Sequence, residues 1–527
     1  MIQRSFLHGT LVLMLSGVVT RILGFVYRIY LSRLIGAEGM GLFQMVWPLA
    51  SLALTFITAG LPIAISKLVA EAYVQRDRAR IERVMRISTW VIVTMSVVVV
   101  VLMWVLRGFV LRHWFTDPRA YLTYQVMIPI VMVIAISSIY RGYFQGLQDM
   151  APTAWASVLE TIARIGVVYG LAGYFIRYGI AAAAAAAMAG TVFGEIVGLC
   201  YLILQQRRRG RLADLLPDAP TRSLETLRQT LHAIAELAIP VTVSRLIWSF
   251  LWAVEPILVT RALLHAGASG PEATEMYGQY GSMAVPLLVF PTVFTASLAA
   301  NLVPSVSEAM AEDEVQRVRI RFAQSWRATA LIGMPVSVIF TLFAHPLCWA
   351  IYRDDGVAPI LQIMAPAGFL IYLQGPLTAI LQGLNHATIA MVISILGGVL
   401  RLGLIWELAS QPHLEVLGVA WATTIANVVT LVLYCAALYR YIGLPVNVAD
   451  TAKVATASLL MLVVCDLLTP NIDHLGAGRM LAAIVGGGMV YFALCCAFRV
   501  ITSRTMQRIP KIGGTLAALV RWMPFGI

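Results

Sequence analysis

Arginines placed inside apolar segments are the first chemistry this sequence offers. Arg21 and Arg28 both fall in the stretch Gly17 to Arg28, within the first long apolar run. An arginine near the centre of a membrane helix costs roughly 2.5–3.5 kcal/mol on insertion scales, so such a residue faces a wet cavity or a partner. Further charges follow in later apolar runs: Arg164 with Glu160 one turn before it, Glu195, Arg245 with Glu255 ten residues on, and Arg401. Lys67 and Glu71 lie near the inner end of the second run. A planar guanidinium fork matches phosphate oxygens, so the arginines fit a cationic cavity for an anionic substrate. The competing reading is pairing within one lobe, for which the i,i+4 spacing of Glu160 and Arg164 is the obvious case. For Lys67 and Glu71, interfacial snorkelling competes with a place in the cavity.

Bond-making chemistry has no matching signature. The three lysines, Lys67, Lys453 and Lys511, lack a phosphate-loop context, and the eight histidines show no metal-ligand spacing. The six cysteines, Cys200, Cys348, Cys435, Cys465, Cys495 and Cys496, form no CxxC pair and sit in or beside apolar runs. The reading is therefore not an enzyme, with no cofactor and no metal. Gly36-Ala37-Glu38-Gly39-Met40-Gly41 superficially resembles a phosphate-binding loop but follows no strand and is discounted.

The elements that must position these residues are membrane helices. Of 527 residues, 60% are hydrophobic and 12% charged, with mean hydropathy +0.82; a soluble chain carries about 25% charged residues. A span needs about 20 mostly apolar residues. Fourteen stretches qualify: 8–32, 44–69, 87–107, 121–145, 152–176, 179–204, 236–262, 278–303, 326–348, 358–382, 387–409, 415–439, 452–470 and 477–502. The first contains Arg21 and lacks an A-x-A site, so it reads as a retained helix and not a cleaved signal.

The net charge of +12 suggests nucleic acid at first sight, but the arginines gather in short loops. Counting loop arginines and lysines with the N-terminus inside gives eighteen on one side and six on the other. That asymmetry predicts a multi-pass membrane protein with both termini cytoplasmic, and no nucleic-acid partner.

An internal repeat orders the spans. A shift of 237 residues lays Thr58-Ala59-Gly60-Leu61 on Thr295-Ala296-Ser297-Leu298, and Gln145-Gly146-Leu147 on Gln382-Gly383-Leu384. The same shift lays Ser157, Arg164 and Gly166 on Ser394, Arg401 and Gly403. With small insertions, Thr20-Arg21-Ile22-Leu23 matches Ser244-Arg245-Leu246-Ile247, and Gly179-Ile180-Ala181 matches Gly418-Val419-Ala420. The expected fold is an all-α polytopic membrane protein of fourteen transmembrane helices. Two six-helix lobes form a parallel repeat about the membrane normal, the plan of alternating-access carriers. The lobes cover residues 1–234 and 235–450, and 451–527 holds two extra helices and a basic tail. Prolines within the spans, Pro129, Pro291, Pro335 and Pro376 among them, predict bends. Gly190, Gly194 and Gly198 make a double GxxxG that close helix packing explains.

Particular motifs add a resemblance. Thr20-Arg21-Ile22-Leu23-Gly24-Phe25, Gly39-Met40-Gly41-Leu42 and Gly60-Leu61-Pro62-Ile63-Ala64-Ile65-Ser66-Lys67-Leu68-Val69-Ala70-Glu71 resemble the stage V sporulation protein B group. So do Arg141-Gly142-Tyr143-Phe144-Gln145-Gly146 and Glu255-Pro256-Ile257. That group belongs to the polysaccharide-export and lipid II flippase branch of the multidrug/oligosaccharidyl-lipid/polysaccharide exporters. The resemblance implies two lobes about a central cavity and two extra helices lining a groove for a lipid tail. It also implies export of an undecaprenyl-pyrophosphate-linked precursor, lipid II for the spore cortex. Its implied partners are a polyprenyl-pyrophosphate-linked sugar, membrane lipids, a coupling cation and the cell-wall synthesis machinery. Related vegetative flippases carry more basic residues in the first two helices; here Arg21 matches, Tyr27 stands beside Arg28, and Leu54 to Thr58 is uncharged. The runners-up are a cation-coupled drug or metabolite antiporter of the same superfamily and a non-transporting scaffold for cell-wall synthesis. Helices 13 and 14 argue against the first, and duplicated intramembrane charges against the second.

Overall fold

In a hydrocarbon environment every backbone polar group must be satisfied within its own segment, so an apolar chain of this length folds into helices. The computed structural model describes residues 2–58, 60–213, 227–469 and 476–501, and every regular element among them is helical. Residues 214–226, between the seventh and eighth helices, and almost all of the expected basic tail lie outside the described residues. The first half of the chain comprises α1 (Ile2–Thr58), α2 (Leu61–Val74), α3 (Arg78–Val105), α4 (Arg107–His113), α5 (Ala120–Gly146), α6 (Ala151–Phe175), α7 (Ile180–Ala213), α8 (Leu227–Ala266) and α9 (Gly270–Tyr277). The second half comprises α10 (Val285–Val289), α11 (Thr292–Ala311), α12 (Val315–Leu342), α13 (Ala344–Tyr352), α14 (Val357–Met364), α15 (Gly368–Gly383), α16 (Ala387–Ala409), α17 (Glu415–Ile442), α18 (Val448–Leu468) and α19 (Ala477–Ala497).

Among the described residues twelve helices are long and apolar enough to cross a membrane. The number is thirteen if the pair Gly270–Val289 and Thr292–Ala311, bent by 58°, makes one span. One of the twelve, Ser16–Val74, runs for 59 residues and covers both stretches expected as the first two spans. A straight helix of that length would reach roughly 90 Å, about three times the hydrocarbon thickness. It is not straight. Gly36 has φ 67° and ψ −177°, a left-handed backbone that costs most other residues energy, and the helix turns there. A second break falls before α2, where Gly60 is followed by Leu61 and Pro62. Proline acts similarly elsewhere: Pro291 lies at the 58° bend, and Pro366 sits in the short 3₁₀ turn Ala365–Ala367 between α14 and α15.

The chain forms two compact units. Unit 1 holds Met1–Leu264 with Ala268–Gly278; unit 2 holds His265–Gly267 with Gln279–Ile527. Packing places nearly all of α8 and α9 with unit 1, whereas the sequence repeat assigns them to its second copy. The two divisions answer different questions, one of contact and one of duplication.

Within unit 1, α6 and α7 pack along their length. A Cβ at Gly190 would lie 2.3 Å from Val168 Cγ2, and one at Gly194 would lie 2.7 Å from the Glu160 carbonyl oxygen. The double GxxxG therefore brings the α7 backbone onto α6. Within unit 2, α16 and α17 pack in the same manner, and a Cβ at Gly397 would lie 2.2 Å from Thr430 Oγ1. Helices α18 and α19 join the unit 2 core, which contains Phe322, Phe343, Tyr434, Met461 and Tyr491. Tyr491 donates its hydroxyl to the Leu331 carbonyl at 2.9 Å, fixing α19 to α12.

Candidate functional site

Arg21 and Arg28 stand seven residues apart on α1. At 100° and 1.5 Å per residue they share one face, about 10.5 Å apart along the axis. Arg21 is exposed and Arg28 half-buried. Arg245 is exposed on α8, and Glu255, two to three turns further on, is buried. One turn after Arg245, the Ser249 hydroxyl hydrogen-bonds to Thr55 of α1 at 2.7 Å. A Cβ at Gly60 would lie 2.1 Å from the Ala238 carbonyl oxygen, so α8 seats directly on the region joining α1 to α2. Both helices that carry the paired arginines are thus elements of unit 1.

Behind α1 lies a network of four charges on three helices. Arg164 donates to Glu160 at 2.7 Å and reaches Glu195 of α7 at 3.5 Å. Arg141 of α5 donates to Glu160 at 3.1 Å and to the Ser157 hydroxyl at 2.9 Å. Two guanidinium groups face two carboxylates, so the cluster is formally neutral and can persist at low dielectric. Tyr27 of α1 is buried beside Thr191 and lies in the fields of Arg164 and Arg28.

The expected Glu160–Arg164 pair is therefore present, but as part of a larger set. Arg141 was not among the expected site residues. Its signal was available, an arginine near the end of the apolar run 121–145, but its approach to Glu160 exists only across α5 and α6. Arg401, the repeat counterpart of Arg164, is half-buried on α16. The same 237-residue shift lays Arg141 on Thr378 and Glu160 on Gly397, and the 239-residue shift of Gly179 onto Gly418 lays Glu195 on Tyr434. In unit 2 the counterparts of Ser157 and Glu195, Ser394 and Tyr434, share a 2.7 Å hydrogen bond. Lys67 is exposed on α2, and Glu71 pairs with Arg80 at 3.6 Å across the α2–α3 turn.

A second cluster was not legible in the sequence. Arg119 bridges Glu38 at 2.6 Å and Asp117 at 2.7 Å, and Thr274 of α9 donates to Asp117 at 3.1 Å. Burial pushes the Asp117 carboxyl up, but hydrogen bonds from Arg119 outweigh it and hold the carboxyl below its ordinary range. These contacts clamp α9 onto the turn at Gly36. A Cβ at Gly278 would lie 1.9 Å from the Ala37 carbonyl oxygen, and one at Gly41 2.0 Å from that of Thr274. The glycines of the 36–41 segment thus serve the turn and close packing. Among the described residues no group of three or more His, Cys, Asp or Glu could hold a metal ion.

An all-helical, multi-pass chain with guanidinium groups on its spans defines the class: a polytopic membrane protein. Solved structures give its fold. It aligns with the lipid II flippase MurJ in an inward closed conformation at TM-score 0.70 and 14% identity, covering 92% of this chain and 98% of that one. It aligns with an inward-facing MATE family multidrug resistance transporter of the MOP superfamily at TM-score 0.66 and 17% identity, covering 80% and 94%. By sequence it is 35% identical to stage V sporulation protein B of Bacillus subtilis (strain 168) over 519 residues, 97% of this chain and 99% of that protein. It is 25% identical to the lipid II flippase MurJ of the same organism, across 94% of this chain and 95% of the other. The family model described as polysaccharide biosynthesis protein matches residues 6–310, and the MatE model matches residues 277–406. The chain belongs to the polysaccharide biosynthesis protein family.

Proposed function

We propose that this protein is a flippase that exports an undecaprenyl-pyrophosphate-linked cell-wall precursor, lipid II for the spore cortex, by alternating access. The observation that carries the reading is the pair of exposed arginines, Arg21 and Arg245, on apolar helices of unit 1. The pyrophosphate would rest on them, with Arg28 as a secondary contact one face-repeat along α1. The lipid tail would stay in the bilayer near α18 and α19. Both termini would be cytoplasmic. A pyrophosphate carries roughly two negative charges, and an inside-negative potential favours outward movement of each by roughly 2.3 kcal/mol per 100 mV. With the arginines fixed, that potential alone could drive export. If a cation is exchanged, Glu255 is the candidate site, because Glu160 is already held between two guanidinium groups.

The test is translocation of lipid II in proteoliposomes. Arg21→Ala and Arg245→Ala should each lower the rate by about tenfold or more, since each removes a charge-assisted contact of roughly 1.5–3 kcal/mol. Wild-type rates in both variants would sink the site. Absence of translocation of every polyprenyl-linked sugar by the wild type would sink the function. The match of residues 277–406 to the MatE model favours a second reading, a cation-coupled antiporter; proton- or sodium-driven uptake of a cationic dye into inverted vesicles would select it.

A further inference from the structure

Unit 2 contains a cavity of about 220 Å³ between α12 and α18. Its polar lining is Gln324, Trp326, Arg327, Asn447, Asp450 and Thr451, and the rest is aliphatic. Three properties define what could fill it.

The first is depth. Helix α18 has 21 residues, which span about 31 Å, close to the hydrocarbon thickness. Its first two turns, which line the cavity, therefore sit where acyl chains meet head groups. Exposed Arg319 and Arg321 lie at the same end of α12. The second is size. The volume is below the ~300–1,000 Å³ of ordinary small-molecule sites, so it admits one head group and not an oligosaccharide. The third is charge. Arg327 and Asp450 stand 3.5 Å apart, each partly accessible, and Lys453 approaches the other Asp450 oxygen at 3.9 Å. Trp326 donates its indole N–H to Thr451 at 3.2 Å and stacks on Phe322, so its ring is fixed. Arg327 also donates to the Val500 carbonyl, which anchors the guanidinium.

A cation and an anion side by side suit a zwitterion. An anionic head group would meet Asp450, and a quaternary ammonium would bring no N–H donor to it. We propose that the cavity binds the head group of a phosphatidylethanolamine-type phospholipid, its primary ammonium on Asp450 and its phosphate on Arg327. Basic pockets between membrane helices are known lipid head-group sites; the added carboxylate selects the amine.

The test is native mass spectrometry of the purified full chain with equimolar phosphatidylethanolamine, phosphatidylcholine and phosphatidylglycerol. The wild type should retain the ethanolamine lipid about tenfold over the other two, equivalent to about 1.4 kcal/mol. Asp450→Asn and Arg327→Gln should bring that preference near unity. Because these two could disturb α12–α18 packing, Gln324→Leu, which leaves the ion pair in place, should lower retention severalfold in a protein of unchanged melting temperature. Equal retention of all three lipids, preference for phosphatidylglycerol, or an unchanged preference in Asp450→Asn together with unchanged retention in Gln324→Leu would overturn the proposal. So would displacement of the lipid by millimolar soluble phosphoethanolamine, which would make the ligand a soluble one.

Discussion

Arg141 and Arg164 grip Glu160 from two different helices, and Arg164 also reaches Glu195. Removing Arg141 leaves one guanidinium for two carboxylates, Glu195 buried and Glu160 half-buried. Breaking one side of a buried ion pair costs about 3–5 kcal/mol, and partial exposure of Arg141 lowers this toward about 1–3 kcal/mol. Arg141→Ala should therefore lower the melting temperature in detergent. Adding Glu160→Gln should restore part of the loss, because the second change removes the stranded charge. A double variant no more stable than the single one would show that Arg141 acts through packing. At this scale the sequence was half legible. The i,i+4 pair needs only helical spacing, so Glu160 and Arg164 could be read directly. Arg141, Glu38, Asp117 and Arg119 meet partners across turns or between helices, and no local period encodes those distances.

At the scale of elements, the clamp of α9 onto α1 rests on backbone contact. A Cβ at Gly278 would overlap the Ala37 carbonyl, and neither backbone can rotate away as a side chain could. Gly278→Ala should destabilise the protein by about 1–3 kcal/mol or more. The clamp contacts of Thr274 and Arg119 should loosen together, read as faster hydrogen exchange at residues 36–41 and 270–278. Unchanged exchange at both segments would mean that α9 is held by other contacts. The helices themselves were legible because apolar runs of about 20 residues have one solution in a bilayer. The turn at Gly36 was visible only as a glycine in a connecting stretch. That helix on both sides is broken only at this one residue depends on a single positive φ, which composition does not reveal.

For the whole molecule, the expected duplication rests on one shift that aligns several helices at once. The packing units were not legible, since the repeat assigns α8 to its second copy and contact assigns nearly all of it to unit 1. The expected orientation rests on loop arginines and lysines alone and is open to a direct measurement. In intact cells, a cysteine in place of Glu82 should resist a membrane-impermeant thiol reagent, and one in place of Arg112 should react, on a background without accessible native thiols. The reverse pattern would invert the assignment. The charge network of unit 1 also depends on residues that carry no charge. A Cβ at Gly194 would strike the Glu160 carbonyl, and one at Gly198 would lie 3.6 Å from its carboxylate. A side chain at Gly198 would make only ordinary contacts, but one at Gly194 would force α7 away from α6, and Glu195 would leave the 3.5 Å reach of Arg164. The electrical character of this half is thus written partly in missing atoms. A transport defect can arise at a position with nothing to ionise, nothing to donate and nothing to touch a substrate.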